Sequence, residues 1–390
     1  MKIKIISTFL GHGKILQEFG TGLSILLSLL PEVKQIEVIT WEKDSTEAIE
    51  LPEKISINPA FSISNPLSIF RTLEKCVTGK ADLFIFNLMP TTYANSNLAN
   101  LIGLLIPLFL KKVFKQNVAI LYHNSLYTND FEKLGYTGIF NKLRAFVIRP
   151  LEKLLFRSVN MFMLSKNYVE IIRKQIKGAK VSHIDLKFFQ SVGTLCLNNL
   201  LNESTVTLKV NKTPRILLFG SWGPQKDPTP VLEALKKIRS AGIRFHLTMA
   251  GGINLHFFKS KTDTDQLSIK YSNIIDDKME YVPEALLYSL FSKSDILVLN
   301  YATPGGFSSV LSMGIFFNLY IIASHFKEFV EQADNYSKIK FCDPVDLECE
   351  IQEYILKVHP KMEPRKIEIA PIVNQMVHSL RTATIESVKK

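Results

Sequence analysis

Strand-like and helix-like segments alternate along this chain, and they do so twice over. Lys2 to Ser7 is a short β-branched run, Gly11 to Gly22 a glycine-punctuated loop, Leu23 to Leu30 an apolar helix, and Ile36 to Trp41 a second strand. Parallel sheets are built from such β-α-β units, because parallel strands need a crossover connection. Further strands are expected at Leu83–Phe86, Val118–Tyr122 and Asn160–Leu164, with helices near 66–76, 98–115, 139–157 and 166–177. A polar, aperiodic stretch, NESTVTLKVNKT at 202–213, reads as a connection between domains. Beyond it the alternation resumes, with strands at 215–219, 244–250, 295–299 and 319–323 and helices at 229–240, 283–292, 307–317 and 325–334. The pattern predicts an α/β protein with two doubly wound parallel-sheet domains, 1–201 and 214–365, followed by a last helix within 366–390. A length of 390 residues suits two such cores better than one.

Composition narrows the partners. With 46% hydrophobic and 21% charged residues the chain is no disordered polymer. Its four cysteines form no C-x-x-C pair and have no histidine at zinc-finger spacing, so neither a disulfide framework nor a structural metal is indicated, and a cytoplasmic setting is expected. MKIKIIST reads as a first strand rather than a signal peptide. Residues 1–195 hold 24 Lys and Arg against 15 Asp and Glu, a net of +9, whereas 196–390 hold 23 against 21, a net of +2. The basic excess of the first half fits nucleic acid, anionic lipid or a phosphorylated substrate, and equally simple solubility through lysine-rich faces. No recognition helix, zinc finger or RNA-binding aromatic signature appears, so nucleic acid is not expected. Leu98 to Leu110 is continuously apolar, too short to span a bilayer, and followed by Lys111, Lys112 and Lys115. Residues 139–157 interleave Phe, Leu and Ile with Lys142, Arg144, Arg149, Lys153 and Arg157. A buried core helix accounts for the first of these segments; together they point to peripheral contact with an anionic membrane, at the inner face of the cell membrane.

Chemistry is expected in the loops after strands, where open α/β sheets bind ligands. In RILLFGSWGPQKDPTP a buried strand ends at Gly220, and a short loop delivers Lys226 just before a helix. An ammonium there can meet a diphosphate; the plainer reading is a solvated lysine in a turn. In the second half the strand at Ile296–Leu299 runs into Thr303-Pro304-Gly305-Gly306, and a helix opens with Ser308 and Ser309. Exposed amides and the helix dipole make that a phosphate cradle, although glycines followed by serine also form an ordinary capped helix start.

Taken in order, Gly220 with Lys226, Ala250-Gly251-Gly252, Val282-Pro283-Glu284, Ser294-Asp295, the 303–309 loop and Ile321-Ile322-Ala323-Ser324 resemble the donor domain of retaining family 4 glycosyltransferases of the GT-B fold, over nearly all of 215–335. The resemblance implies two Rossmann-like domains facing across a cleft, with the last helix, in 366–390, packing back toward the first domain. It also implies transfer of a sugar from a UDP- or GDP-sugar to a glycan or lipid-linked acceptor, with no metal and no prosthetic group. It assigns the donor diphosphate to Lys226 and to Gly305, Gly306, Ser308 and Ser309, and places Glu328 near the donor. In the first half, Glu18-Phe19-Gly20-Thr21-Gly22 resembles the family's glycine loop, whose amides at Gly20 and Gly22 approach a phosphate. His123, directly after a strand, matches a histidine that contacts the transferred sugar or the diphosphate; a strand-end histidine with purely structural partners is the competing reading. Ser221, Gly305 and Met313 depart from the family's arginine and two glutamates. Those departures define the alternative: a catalytically silent protein of this fold that binds a glycan or a partner glycosyltransferase.

Overall fold

A computed structural model describes residues 1–7, 15–41, 51–62, 65–88, 97–123, 125–128, 139–198, 200–223, 225–252, 269–280, 282, 284–303 and 306–389. The chain divides into two compact units, the first taking it up to Leu201 and again from Pro371, the second spanning Asn202–Ala370.

The first unit is built on seven parallel strands, β1 (Lys2–Ile6), β2 (Gln35–Trp41), β3 (Ile55–Phe61), β4 (Leu83–Leu88), β5 (Val118–Tyr122), β6 (Asn160–Met163) and β7 (Val181–His183), in the order 3-2-1-4-5-6-7. The order reverses direction at β1, so right-handed crossovers put helices on both faces. Alternation along each strand shows the two layers. Phe84, Phe86, Ile120 and Met161 pack into a core with α2 (Ile69–Val77), α3 (Asn97–Lys112), α4 (Ile139–Ser158) and α5 (Lys166–Gln175). Leu83, Ile85, Leu121 and Phe162 face the other way, toward Leu23 of α1 (Ile15–Ser28) and Leu380. Buried on both faces, these strands carry continuous apolar runs, which is why the sequence shows them.

The glycine-punctuated loop expected at 11–22 is shorter than that. Helix α1 begins at Ile15, so Gly20 and Gly22 are helical. Gly22 has a packing reason: a Cβ there would stand 1.9 Å from the carbonyl oxygen of Phe189, the first residue of α6 (Phe189–Leu197). The glycine lets the helix run against a neighbouring backbone.

The second unit repeats the plan with six parallel strands, β9 (Arg215–Phe219), β10 (His246–Ala250), β11 (Asp277–Met279), β12 (Ile296–Leu299), β13 (Tyr320–Ser324) and β14 (Ile339–Cys342), in the order 11-10-9-12-13-14. Around it lie α7 (Thr229–Ser240), α8 (Glu284–Ser292), α9 (Ser309–Phe316), α10 (Lys327–Ala333) and α11 (Leu347–Glu353). The polar stretch read as a connection differs from that reading. Thr205–Leu208 forms β8, paired antiparallel with β15 (Arg365–Glu368). Buried polar groups fasten this ribbon to the base of the sheet. Asn211 Nδ2 donates to both carboxylate oxygens of Asp295 at 3.1 and 3.0 Å, and Arg365 donates to the carbonyls of Phe317 at 3.1 Å and Ser292 at 2.7 Å. The last helix, α12 (Ile369–Lys389), follows β15, and from Pro371 on it belongs to the first unit. There Gln375 donates to Asp185 at 2.7 Å, and Arg381 pairs with Glu32.

Candidate functional site

In the second unit the carboxyl ends of β9 and β10 meet at two glycines. Gly251 has φ +114°, and a Cβ on it would lie 1.9 Å from the carbonyl oxygen of Gly220. The chain then turns: Trp222 N–H donates to Gly252 O at 2.9 Å, and Lys226 N–H to Gly223 O at 2.9 Å, which folds Lys226 back over the strand end. Its Cδ and Nζ stand 3.4 and 3.7 Å from where a Gly220 side chain would begin. Glycine at 220 therefore makes the room that the lysine occupies.

The loop after β12 closes on this turn. Ala302 N–H donates to Gln225 O at 2.8 Å, and Gln225 Nε2 donates to Thr303 O at 3.1 Å. Lys226 Nζ lies 4.6 Å from the centroid of the Tyr301 ring, and no carboxylate among the described residues pairs with it. The adjacent Asp227 instead accepts from Thr229 N–H at the start of α7. On the far side of the ring, Tyr301 Oη lies 3.5 Å from Ser308 Oγ, which caps α9 by accepting from Leu311 N–H. An ammonium, a tyrosine ring and a helix N-terminus without acidic residues in its first turn thus stand in sequence. Gly306 is buried with φ +95°, a backbone state that favours glycine. Thr303 Oγ1, in the same loop, is buried with no hydrogen-bond partner among the described residues. The arrangement concentrates positive potential on a small polar surface, which suits an anion.

In the first unit the ends of β1, β4 and β5 form a polar row. Asn87 Nδ2 donates to Ser7 Oγ at 2.8 Å, and its Oδ1 lies 2.5 Å from His123 Nε2. With Oδ1 facing the ring, Nε2 carries the proton and the lone pair is on Nδ1. Burial pushes the imidazole down to about 3, so it is neutral at physiological pH.

No family model matches this sequence, and no curated protein does. Solved structures match along the whole chain. Sucrose-phosphate synthase from Thermosynechococcus elongatus is similar with a TM-score of 0.66 at 13% identity, covering 99% of this chain and 98% of that one. The catalytic domain of starch synthase IV from Arabidopsis thaliana, bound to ADP and acarbose, scores 0.63 at 10% identity, covering 100% and 99%. Anabaena HepE in complex with UDP-glucose scores 0.57 at 12% identity, covering 100% and 98%. The chain has the GT-B fold.

Within the GT-B frame the structure brings together Gly220, Lys226, Gly306 and the Ser308–Ser309 helix start. Gly305 lies outside the described residues. The expected row of free amides is shorter by one: Ser308 N–H donates to Gln332 Oε1 at 3.0 Å, and Gln332 Nε2 donates back to Ser308 O and to Ser312 Oγ, each at 2.6 Å. Glu328 is half-buried in the first turn of α10. Met313 is buried within α9, and Ser221 is exposed beside Gly220. Gly20 and Gly22 sit past the first turn of α1, where backbone N–H groups bond within the helix, so they do not form a loop of free amides. The sequence reading did not single out Gln225, Tyr301, Gln332, Asn87 or Glu152. Tyr301 stands two residues past the end of a strand, a position that marks it; Gln332 becomes visible only once α10 packs against α9.

Proposed function

We propose that this GT-B protein is a retaining glycosyltransferase, moving a sugar from a UDP- or GDP-sugar to a glycan or lipid-linked acceptor at a membrane surface. One observation carries the reading: a lysine with no carboxylate partner among the described residues is held on Tyr301, one ring away from the start of α9, by two loops hydrogen-bonded to each other. Such a lysine and helix start neutralise a diphosphate as it leaves. HepE was solved with UDP-glucose and starch synthase IV with ADP, which supports a nucleotide-linked donor here. In the proposed reaction the acceptor oxygen bonds to the anomeric carbon as the carbon–oxygen bond to the diphosphate breaks on the same face. A phosphate oxygen takes the acceptor proton. Lys226 and the amides of Gly306 and Ser309 stabilise the departing charge, and His123 contacts the transferred sugar or the diphosphate. Lys226→Ala is expected to lower kcat by roughly 10²–10³-fold with the fold intact. Turnover that stays at the wild-type level removes Lys226 from the reaction.

The membrane surface is supported by the outer face of the first unit. Leu67 just before α2, Phe70 of α2, Phe109 and Phe114 at the end of α3, and Phe146 and Leu154 of α4 are all exposed, with α3 in contact with both neighbours. Lys111, Lys112, Arg149, Lys153 and Arg157 belong to the same helices. Among the described residues no helix is long and apolar enough to cross a membrane. The alternative, a silent protein that binds a glycan or a partner glycosyltransferase, is favoured by Ser221 and by Met313. A buried thioether stands where a ribose-binding carboxylate is otherwise expected. Thermal unfolding with a panel of nucleoside diphosphates separates the two readings, since saturation at a hundred times Kd stabilises by about 2.7 kcal/mol. No shift with any nucleotide favours the silent protein.

A further inference from the structure

The loop that follows β5 is bound to α4 by the Glu152 side chain and by the Tyr127 hydroxyl, which donates to Arg149 O at 3.2 Å. Glu152 is fully buried and is the one acid in a helix whose sequence carries Lys142, Arg144, Arg149, Lys153 and Arg157. Its carboxylate accepts from three residues of the β5 end and loop. The Tyr122 hydroxyl donates to Oε1 at 2.6 Å, the Ser125 hydroxyl to Oε2 at 3.3 Å, and Leu126 N–H to both oxygens at 3.2 and 3.1 Å. Ser125 Oγ in turn accepts from Tyr127 N–H at 3.1 Å. Every neighbour in this cluster is a donor, and an ionised carboxylate answers them because both of its oxygens only accept. Burying such a group costs several kcal/mol unless it is satisfied, and an apolar residue of similar size would pack α4 without that cost. What the carboxylate adds is a hold on Tyr122, Ser125 and Leu126, and His123 directly follows the first of them.

We infer that Glu152 is the positioning residue of the His123 loop: by gripping Tyr122, Ser125 and Leu126 it sets where the imidazole stands at the carboxyl end of the sheet. The kinetic side of this inference rests on the proposed glycosyl transfer, while its structural side rests on the hydrogen bonds alone. The titratable and charged groups around the carboxyl are Tyr122 from β5, Tyr127 from the loop, and Arg149 from α4 itself. Burial outweighs the donors and raises the Glu152 carboxyl to about 7, and it pushes the Tyr122 hydroxyl well above its usual range. On protonation one oxygen becomes a donor among donors, and the grip loosens.

The test compares wild type with Glu152→Gln, which keeps size and one acceptor but turns an NH2 toward the donors. Amide hydrogen exchange on the full chain should show protection at Leu126 falling at least tenfold, with the β4, β5 and β6 ladders unchanged. Unchanged exchange at Leu126 overturns the inference. In turnover, kcat should fall by roughly ten- to a hundredfold, as expected for a misplaced group, with KM for the nucleotide sugar within about twofold. Wild-type log kcat is expected to bend near pH 7, where the Glu152 carboxyl titrates, and Glu152→Gln should lack that bend. Exchange raised across the whole sheet would mark a merely structural role and also overturns it. If wild type turns over no nucleotide sugar, the proposed function fails, and the Leu126 exchange still decides the role of Glu152. Should Glu152→Gln not fold, Tyr122→Phe with Ser125→Ala removes the donors instead and is expected to expose Leu126 in the same way.

Discussion

Lys226 owes its place to two uncharged neighbours, Gly220 beneath it and Tyr301 beside it. A half-buried cation on a ring gains about 0.5–2 kcal/mol. Tyr301→Leu should therefore weaken nucleoside diphosphate binding by roughly two- to thirtyfold by calorimetry. Tyr301→Phe should keep most of the affinity, and equal affinities for all three proteins would remove the ring from the site. His123 carries a second prediction. Its folded pKa is depressed from 6.5 to about 3, so between those values the unfolded chain binds a proton that the folded chain refuses. Stability from this group is present above pH 6.5 and is lost as pH falls toward 3, by up to about 1.4 kcal/mol per pH unit. Glu152 works the other way. Its folded pKa is raised from 4.5 to about 7, so its contribution is present below pH 4.5 and is lost as pH rises to 7. In thermal unfolding across that range, His123→Gln should flatten the acid limb and Glu152→Gln the neutral one.

Helices of the first unit show what an element gives up or gains at its contacts. At the α1–α6 crossing the nearest atoms to a Gly22 Cβ are backbone, and backbone cannot rotate away. Gly22→Ala should thus destabilise by about 1–3 kcal/mol, read from denaturant midpoints, and a neutral result would mean the helices can separate at no cost. The outer face of α3 and α4 makes the opposite prediction. Phe146 is 77% exposed, so Phe146→Glu should leave thermal stability within about 0.5 kcal/mol while reducing co-sedimentation with anionic vesicles. Equal sedimentation with anionic and neutral vesicles would rule out the charge-assisted surface. Boundaries of such elements were legible where both faces of a strand are buried. Val118–Tyr122 and Arg215–Phe219 stand where their apolar runs predict, as does the helix at Thr229–Ser240. The strand at Thr205–Leu208 was not, because it is short, mostly exposed, and paired with residues about 160 positions away.

At the scale of the whole molecule, 13% identity to the sucrose-phosphate synthase leaves little shared sequence beyond the pattern of alternation, yet both chains match over nearly their full length. Patterning suffices for this because each sheet needs only apolar strands, right-handed crossovers and enough length to cover both faces. The polar network at the base of the second sheet is a different kind of constraint. Asp295→Ala removes the carboxylate acceptor of the Arg215 N–H and leaves the Asn211 amide with Lys293 O alone, and should cost the second unit about 3 kcal/mol by hydrogen exchange at β9 and β12. A loss below about 0.5 kcal/mol would show that water replaces the carboxylate. The sequence by itself determined the α/β class, the two sheets, the GT-B resemblance, and the loops in which Gly220, Lys226, Gly306 and Ser308 stand, since these follow from local periodicity and turn chemistry. Only the tertiary structure decided that Gln225 zips the two loops together, that Tyr301 stands between ammonium and helix, that Gln332 takes the Ser308 amide, that Gly22 serves packing, and that Glu152 grips the His123 loop. Those facts depend on which distant residues come to lie within hydrogen-bonding distance, and no local pattern encodes such distances.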